Sequence, residues 1–410
     1  MERGDTALPY GGSKLLSIRI FAQSGVSFFK TKGLMELTER VRVILKNRQI
    51  CDECLGRQFH ALVPRMPNRE KGKCLRMMAQ MEDAAAEKSP KYIEFEKCSL
   101  CGNIFFEIDS YVQKILEAAK GHEYSTFLIG STFSQEYISG EEEFWEEFGV
   151  EYCEAIKSAF NRAIGLKIRE KTGKPMDFEN PDIMFIVDAG SKEVILQIAP
   201  LYIKGGYKKL KPQSTVQKAI EKAFMEAGES KEVIFYSVGR LEENITTTAY
   251  RPFMLMLRSP KKRRIGLEKL RKKINLNSAI KVSRMSVASK EDLDEMKSEK
   301  IAANYILTLK FAKLSKEEKK EIVQAIKSLR NRRVMQVLKQ KVRRPYMRKL
   351  NPKFEGTALT LEVESTVGFS VNSFLSGKSK PNLEKLIGHK FDVKSIVLRK
   401  FRRVKAKDMY

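Results

Sequence analysis

Cys51-Asp-Glu-Cys54 and Cys98-Ser-Leu-Cys101 are two Cys-x-x-Cys pairs that organise the N-terminal part of this chain. Each places two cysteines at the spacing of a metal-binding knuckle, and four thiolates form the usual ligand set of a tetrahedral structural zinc site. Chance cysteines without a metal are the alternative. The sequence predicts a structural zinc ion held by Cys51, Cys54, Cys98 and Cys101, because four protein ligands leave no position for water.

The net charge of the chain is strongly positive. Lys and Arg number 77 against 51 Asp and Glu, which gives a formal charge of +26. Such an excess attracts phosphate backbones, whereas the charged surface of a thermophilic protein would raise both signs together. The apolar runs are too short to span a membrane and the N-terminus has no signal-peptide pattern, so we expect no membrane association and a cytoplasmic location.

Basic runs with interleaved aromatic residues are concentrated in the C-terminal half. A single run is usually a solvated face, but several runs favour a surface that follows phosphates and stacks on bases. The candidate RNA-binding residues are Arg240, Arg251, Lys261, Lys262, Arg263, Arg264, Arg343 and Arg344.

Hydrophobic periodicity predicts an α+β protein of several domains. We expect an N-terminal extension at residues 1–34, a zinc-binding module at 35–110, an α+β RNA-binding domain at 111–205 and a larger mixed sheet with helices at 206–410. The pattern predicts helices at Ile104–Ala119 and Glu151–Thr172 and a strand at Phe369–Phe374. Cys74 and Cys153 are expected to be buried apolar residues. No Gly-rich or P-loop motif indicates an organic cofactor.

Several long stretches resemble the archaeal tRNA pseudouridine synthases that modify the T-loop and carry a THUMP domain. They include Cys54-Leu-Gly-Arg-Gln-Phe59, Thr126-Phe-Leu-Ile-Gly130, Asp177-Phe-Glu-Asn-Pro-Asp182 and Tyr207-Lys-Lys-Leu210. The resemblance covers most of the chain after about residue 40. It implies a THUMP-type domain at 111–205, a pseudouridine-synthase-like domain at 206–410, tRNA as the partner, and isomerisation of a T-loop uridine to pseudouridine.

The catalytic motif departs from the family pattern. The family carries Gly-Arg-Glu-Asp-x-Asp, whose last Asp is catalytic, and this chain has Gly239-Arg-Leu-Glu-Glu-Asn244. The resemblance also matches the active-site Tyr to Tyr305 and the basic partner of the Asp to Asn372. A carboxylate can act as nucleophile or base, which a neutral amide cannot do effectively. The two changes together indicate a site that has lost its ion pair.

Three functions follow from these observations. The first, which the resemblance favours, is a tRNA pseudouridine synthase acting on the T-loop. Within it, Glu242 or Glu243 would replace the missing Asp from a shifted loop, although loop acids are more often simply solvated. The second is a tRNA-binding protein without catalysis, or a subunit whose protein partner supplies the activity. The third is a different THUMP-bearing enzyme, such as a methyltransferase or thiolating enzyme, for which we find no cofactor motif.

Overall fold

The computed structural model describes residues 37–89, 92–93, 96–238, 241–299, 301–338, 341–366, 368–375, 377 and 379–403. The expected extension at 1–34 and the candidate Arg240 lie outside these residues. Contacts divide the chain into two compact units. The first comprises the described residues up to Ile108 together with Phe133–Ala163, and the second comprises Asp109–Thr132 with the described residues from Ile164 onward. No helix within the described ranges is long and apolar enough to cross a membrane.

Helices and strands alternate along the chain. The helices are α1 (Leu37–Asn47), α2 (Asp52–Gln58), α3 (Asn68–Ala85), α4 (Ile108–Ala118), α5 (Gln135–Phe148), α6 (Ile156–Thr172), α7 (Val216–Gly228), α8 (Leu267–Asn275), α9 (Lys290–Ser298), α10 (Lys316–Lys327), α11 (Val371–Leu375) and α12 (Leu383–Ile387). The strands are β1 (Phe127–Thr132), β2 (Ile183–Asp188), β3 (Val194–Ile198), β4 (Leu201–Lys209), β5 (Glu232–Ser237), β6 (Ile245–Thr247), β7 (Arg251–Arg258), β8 (Ile280–Val282), β9 (Ser286–Ala288), β10 (Ile301–Phe311), β11 (Arg332–Arg333), β12 (Met335–Leu338), β13 (Lys341–Arg343), β14 (Tyr346–Glu355), β15 (Ala358–Thr366), β16 (Ser379–Lys380) and β17 (Phe391–Arg403).

The first unit is helical around the cysteine pairs. Helix α1 is amphipathic and buries Val41, Ile44 and Leu45. Helices α2 and α3 approach closely at two glycines, because a Cβ on Gly56 would lie 1.7 Å from the Asn68 carbonyl oxygen and one on Gly72 would lie 1.8 Å from that of Asp52. This crossing fixes the helix that carries the first cysteine pair.

The described part of the second unit contains two three-stranded sheets and two larger ones. In the first three-stranded sheet β1 pairs in parallel with β2, which pairs antiparallel with β3. Further along the chain, one sheet has the order β5-β7-β4-β8, with β9 also paired to β4. Another has the order β11-β14-β15-β10-β17-β6, and a third has β13-β12-β16. Strand β10 is almost continuously buried because it lies inside its sheet between β15 and β17.

Most elements agree with the sequence-based predictions, and the differences have local causes. The predicted strand Phe369–Phe374 is wrong, because this segment turns at Ser370 and forms helix α11. The predicted helix Ile104–Ala119 is a 3-10 turn at Ile104–Glu107 followed by α4. The predicted helix Glu151–Thr172 begins only at Ile156. The pattern does not indicate helix α5, because its acidic run resembles a solvated loop, or strands β14 and β17, because their basic residues conceal the strand alternation.

Candidate functional site

The C-terminal region of the second unit contains an open cleft of about 840 Å³. It lies between the turn that precedes β6, the N-terminus of α11, β10 and the hairpin β12–β13. Polar and aromatic side chains line it, including Glu242, Asn244, Arg251, Tyr305, Lys341, Arg343, Phe369 and Asn372. A cleft of this size in which polar groups converge is typical of a binding or catalytic site.

The three catalytic-site candidates lie together in this cleft. Asn244 Nδ2 donates to Asn372 Oδ1 at 2.8 Å, and Asn372 Nδ2 donates back to Asn244 Oδ1 at 3.1 Å. Each exposed amide uses one donor and one acceptor in this pair and keeps another of each for water or a ligand. The pair is uncharged, so it can orient a polar base by hydrogen bonding but provides neither a nucleophile nor a strong base.

Glu242 connects the Asn244 turn to helix α11. Its carboxylate accepts hydrogen bonds from Ser370 Oγ and, at 3.0 Å, from the backbone N–H of Asn372. Gln336 holds the same segment from the other side, since its amide exchanges hydrogen bonds with the Ser370 backbone N–H and carbonyl at 2.8 and 2.9 Å. Glu242 is therefore not a solvated loop acid; it fixes the position of Asn372. Glu243 is exposed.

Tyr305 lies within β10 and not at its start, where the sequence pattern places it. It is 7% exposed, and its ring centroid is 6.1 Å from that of Phe369. Burial raises the pKa of the Tyr305 phenol to about 12, with Arg251 lowering it and Glu242 raising it as smaller effects. The phenol is therefore neutral at physiological pH and offers an O–H group and an aromatic edge to the cleft.

Those candidate RNA-binding residues that the structure describes are distributed over the second unit. Arg251 and Arg343 line the cleft, Arg251 buried at its base and Arg343 exposed. Arg344 is exposed beside it in the chain. The cluster Lys261–Arg264 follows β7 and does not line the cleft. Arg263 forms a salt bridge with Asp182 at 2.9 Å and donates a hydrogen bond to the Ala199 carbonyl at 2.6 Å. Lys262 pairs with Glu229 at 2.5 Å.

The four cysteines of the two knuckles form one cluster in the first unit. All four are buried, and their sulfur atoms lie within 4.8 Å of one another, with Cys51 and Cys101 at 3.7 Å. Bonds of about 2.3 Å in a tetrahedral zinc site put sulfur atoms about 3.8 Å apart, so the donor set and spacing fit a metal ion. Burial raises the pKa of the Cys54 thiol well above its usual value, and a bound cation would offset that cost.

Two further cysteines differ from their predicted burial. Cys74 is exposed and Cys153 is half-buried. Cys74 lies on the outer face of α3, which turns Leu75 and Ala79 inward instead. The apolar character of a cysteine does not decide its burial when a neighbouring residue of the helix faces the core.

Several residues that shape the cleft carried no signal in the sequence. Gln336 and Ser370 are both buried, and the hydrogen bonds of the Gln336 amide to the Ser370 backbone join their segments, which lie 34 residues apart in the chain. Lys209 reaches the carbonyl of Glu243, which supports the turn carrying Asn244. A buried glutamine or lysine in a strand looks like any solvated polar residue until its neighbours are known.

Comparison with known proteins gives consistent matches along the chain. The model of the archaeal Pus10 THUMP domain matches residues 111–188, and that of the Pus10 C-terminal domain matches residues 198–399. The tRNA pseudouridine synthase Pus10 of Pyrococcus furiosus is 32% identical over 73% of this chain and 78% of its own length. Those of Thermofilum pendens and Methanopyrus kandleri are each 25% identical, over 89% and 86% of this chain and 95% of their own lengths. A solved Cbf5-Nop10-Gar1 complex matches 48% of each chain at 11% identity, with a TM-score of 0.28.

Proposed function

Because this chain belongs to the archaeal Pus10 family of tRNA pseudouridine synthases, we propose that it binds tRNA and takes a T-loop uridine into the C-terminal cleft. The net charge of +26 supports an RNA partner, and the volume and polar lining of the cleft suit a flipped-out base. A tRNA ligand and reduced metal-binding cysteines are in keeping with a cytoplasmic location.

The amide pair supports a proposal about the chemical step. Isomerisation detaches uracil, rotates it and rejoins it through carbon, and the resemblance assigns the initiating carboxylate to the position of Asn244. Asn244 and Asn372 bond to each other and leave that position uncharged. We therefore propose that the chain holds the uridine but isomerises it far more slowly than a variant carrying the acid–base pair, so that it acts as a tRNA-binding member of its family.

Restoring the ion pair tests this proposal. We expect Asn244→Asp with Asn372→Lys to raise tritium release from C5-labelled uridine in a T-loop transcript by at least about 100-fold, the usual contribution of a positioned acid, base or nucleophile. Asn277→Asp is the control for the added acid, because it introduces the same charge as Asn244→Asp at an exposed turn of the same unit, where its oxygen can still accept from the Ala279 amide. Efficient conversion by the unmodified, partner-free chain would contradict the proposal.

An active synthase that uses Glu242 is the second candidate, because its carboxylate lies in the same cleft. Both of its oxygens already accept hydrogen bonds from the α11 segment, so it would have to leave them to react. If the wild type is active, Glu242→Gln should abolish tritium release and the exposed neighbour Glu243→Gln should not. If Glu242 only holds the loop, Glu242→Gln lowers the unfolding free energy by about 1–2 kcal/mol and Glu243→Gln leaves it unchanged.

We propose zinc as the metal of the cysteine cluster, in a structural role. Four buried sulfur donors at tetrahedral spacing favour zinc over the harder cations, which prefer oxygen ligands. Purified protein should contain about one zinc per chain by mass spectrometry. Cys98→Ser should lose most of this metal, whereas Cys74→Ser, an exposed cysteine outside the cluster, should keep it.

A further inference from the structure

A second cavity of about 520 Å³ adjoins the cleft. Leu241, Glu243 and Arg251 line both spaces, so the turn before β6 forms their common wall. When a base enters the cleft, the sugar-phosphate backbone attached to it must leave past the rim of the cleft. The second cavity therefore lies where the backbone of an adjoining nucleotide could pass.

Lys209 gives this cavity a buried positive charge. It is the last residue of β4, is 3% exposed and lines the cavity. Within the part of the chain that the structure describes, its Nζ donates to one acceptor, the carbonyl oxygen of Glu243. An ammonium group has three donors, and burying it with two of them unused is costly unless an anion completes the shell. Burial also lowers the pKa of Lys209, and the Glu243 carboxylate offsets this only in part, so a further anionic partner would stabilise the charged form of Lys209.

The remaining lining suits a phosphodiester and its sugar. The hydroxyl of Ser237 is buried and has no hydrogen-bond partner among the described residues, and Ser214 and Thr215 add two more hydroxyls. The rings of Tyr207 and Phe235 provide an apolar side wall. Two acids also line the cavity: the exposed Glu243, and Glu221, which accepts from Gln217 Nε2 at 2.8 Å.

We propose that this second cavity binds a phosphate flanking the uridine held in the cleft, with Lys209 Nζ as its principal contact. The inference rests on the proposed function, since it assumes that an RNA uridine occupies the cleft. The inferred phosphate site lies next to the cleft that holds the uridine, and it is distinct from the exposed basic runs of the surface.

The test uses T-arm hairpins in which one phosphate flanking the target uridine is replaced by a neutral methylphosphonate. We expect one of the two replacements to weaken binding to the wild-type protein about tenfold, as loss of a charge-assisted hydrogen bond does. In the Lys209→Met variant, the same methylphosphonate replacement should cause no further loss of binding affinity. That variant should also reduce the slope of log affinity against log salt by about 0.7, the value for one phosphate of a single strand.

Lys208→Met is the matched control. Lys208 is the neighbouring residue of the same strand, lies over the Tyr250 ring at 4.4 Å and lines neither cavity. It should keep the full sensitivity to the methylphosphonate. Because the modified hairpins are first tested on unaltered protein, the result does not depend on whether Lys209→Met folds.

The outcomes separate this inference from the proposed function. If the wild type binds the unmodified hairpin but neither neutral linkage weakens binding, the phosphate site is refuted while tRNA binding stands. Equal weakening in wild type and folded Lys209→Met would refute the role of Lys209. If the wild type does not bind the unmodified hairpin at all, the proposed function fails and this inference fails with it.

Discussion

At the scale of single residues, neutral hydrogen bonds join the Asn244 turn to helix α11. Asn244 and Asn372 exchange two bonds, at 2.8 and 3.1 Å, and both residues are exposed. The resemblance assigns these two positions to an Asp and its basic partner, which would join the same segments only while both were present. We propose that the amide pair preserves this connection without charge.

Tyr305 makes the stability of the protein depend on alkaline pH. Its folded-state pKa is raised to about 12, above the value of about 10 for an unfolded tyrosine. The contribution of the neutral Tyr305 phenol to the unfolding free energy is fully present below about pH 10. It is lost as pH rises towards about 12, because the phenol ionises in the unfolded chain before it does so in the folded protein. The resulting decrease in unfolding free energy over this pH range is at most about 3 kcal/mol.

Denaturant titrations over this pH range compare wild type with Tyr305→Phe. Other groups also titrate there, so the quantity to follow is the difference in unfolding free energy between the two proteins. Between about pH 10 and about pH 12, the unfolding free energy of the wild type should fall relative to that of Tyr305→Phe. Parallel curves would show that the Tyr305 phenol is not buried in the way described.

At the scale of elements, the first unit depends on how closely α2 and α3 cross. Gly56 and Gly72 let the backbones approach until a Cβ on either would meet a carbonyl oxygen at 1.7 or 1.8 Å. No side-chain rearrangement can relieve such an overlap, because the obstructing atoms belong to the backbone of the partner helix. The position of Cys54, two residues before Gly56, therefore follows from a helix crossing that tolerates only glycine.

Gly56→Ala tests this dependence. We expect it to lower the unfolding free energy by about 3 kcal/mol or more and to reduce metal content, since it forces apart the helices that position Cys54. Gly140→Ala in α5 of the same unit has no atom within 4 Å of the added Cβ and should stabilise by up to about 1 kcal/mol. Urea unfolding and metal analysis of both variants provide the measurement; a stable, metal-loaded Gly56→Ala protein would disprove the crossing.

At the scale of the whole molecule, the proposed metal site and the proposed RNA-binding cavities belong to different units. All four cysteines of the metal cluster are in the first unit, and the cleft and the second cavity are in the second. A metal bound by thiolates contributes directly to folding free energy where the apolar core is small. Removing the metal should therefore act on one unit and spare the other.

Chelation followed by calorimetry checks this separation. We expect a chelator to lower the unfolding temperature of the first unit and to leave the second unit's transition in place, because no cysteine of the cluster lies in the second unit. Cys98→Ser should reproduce the effect without chelator, and Cys74→Ser should not. An unchanged thermogram after complete removal of metal would mean that the cluster does not stabilise the fold.

Much of the fold and part of the site can be predicted from the amino-acid sequence. Periodic elements such as Val216–Gly228 and Ile183–Asp188 follow from local hydrophobic patterns, and the two cysteine pairs indicate a four-sulfur cluster by spacing alone. Segment Phe369–Phe374 cannot be predicted this way, because Gln336 and Glu242 hold its backbone in a turn that leads into α11. Long-range hydrogen bonds override its local strand preference.

Net charge, cysteine spacing and side-chain chemistry are properties of the chain, so the amino-acid sequence is enough to predict a polyanionic partner, four sulfur ligands and amides at positions 244 and 372. Folding is needed to show that Asn244 and Asn372 bond to each other, that Glu242 supports them, and that Lys209 is buried beside Glu243. These groups come from segments distant in sequence, and the free energy of a hydrogen bond or a buried charge depends on the groups that surround it.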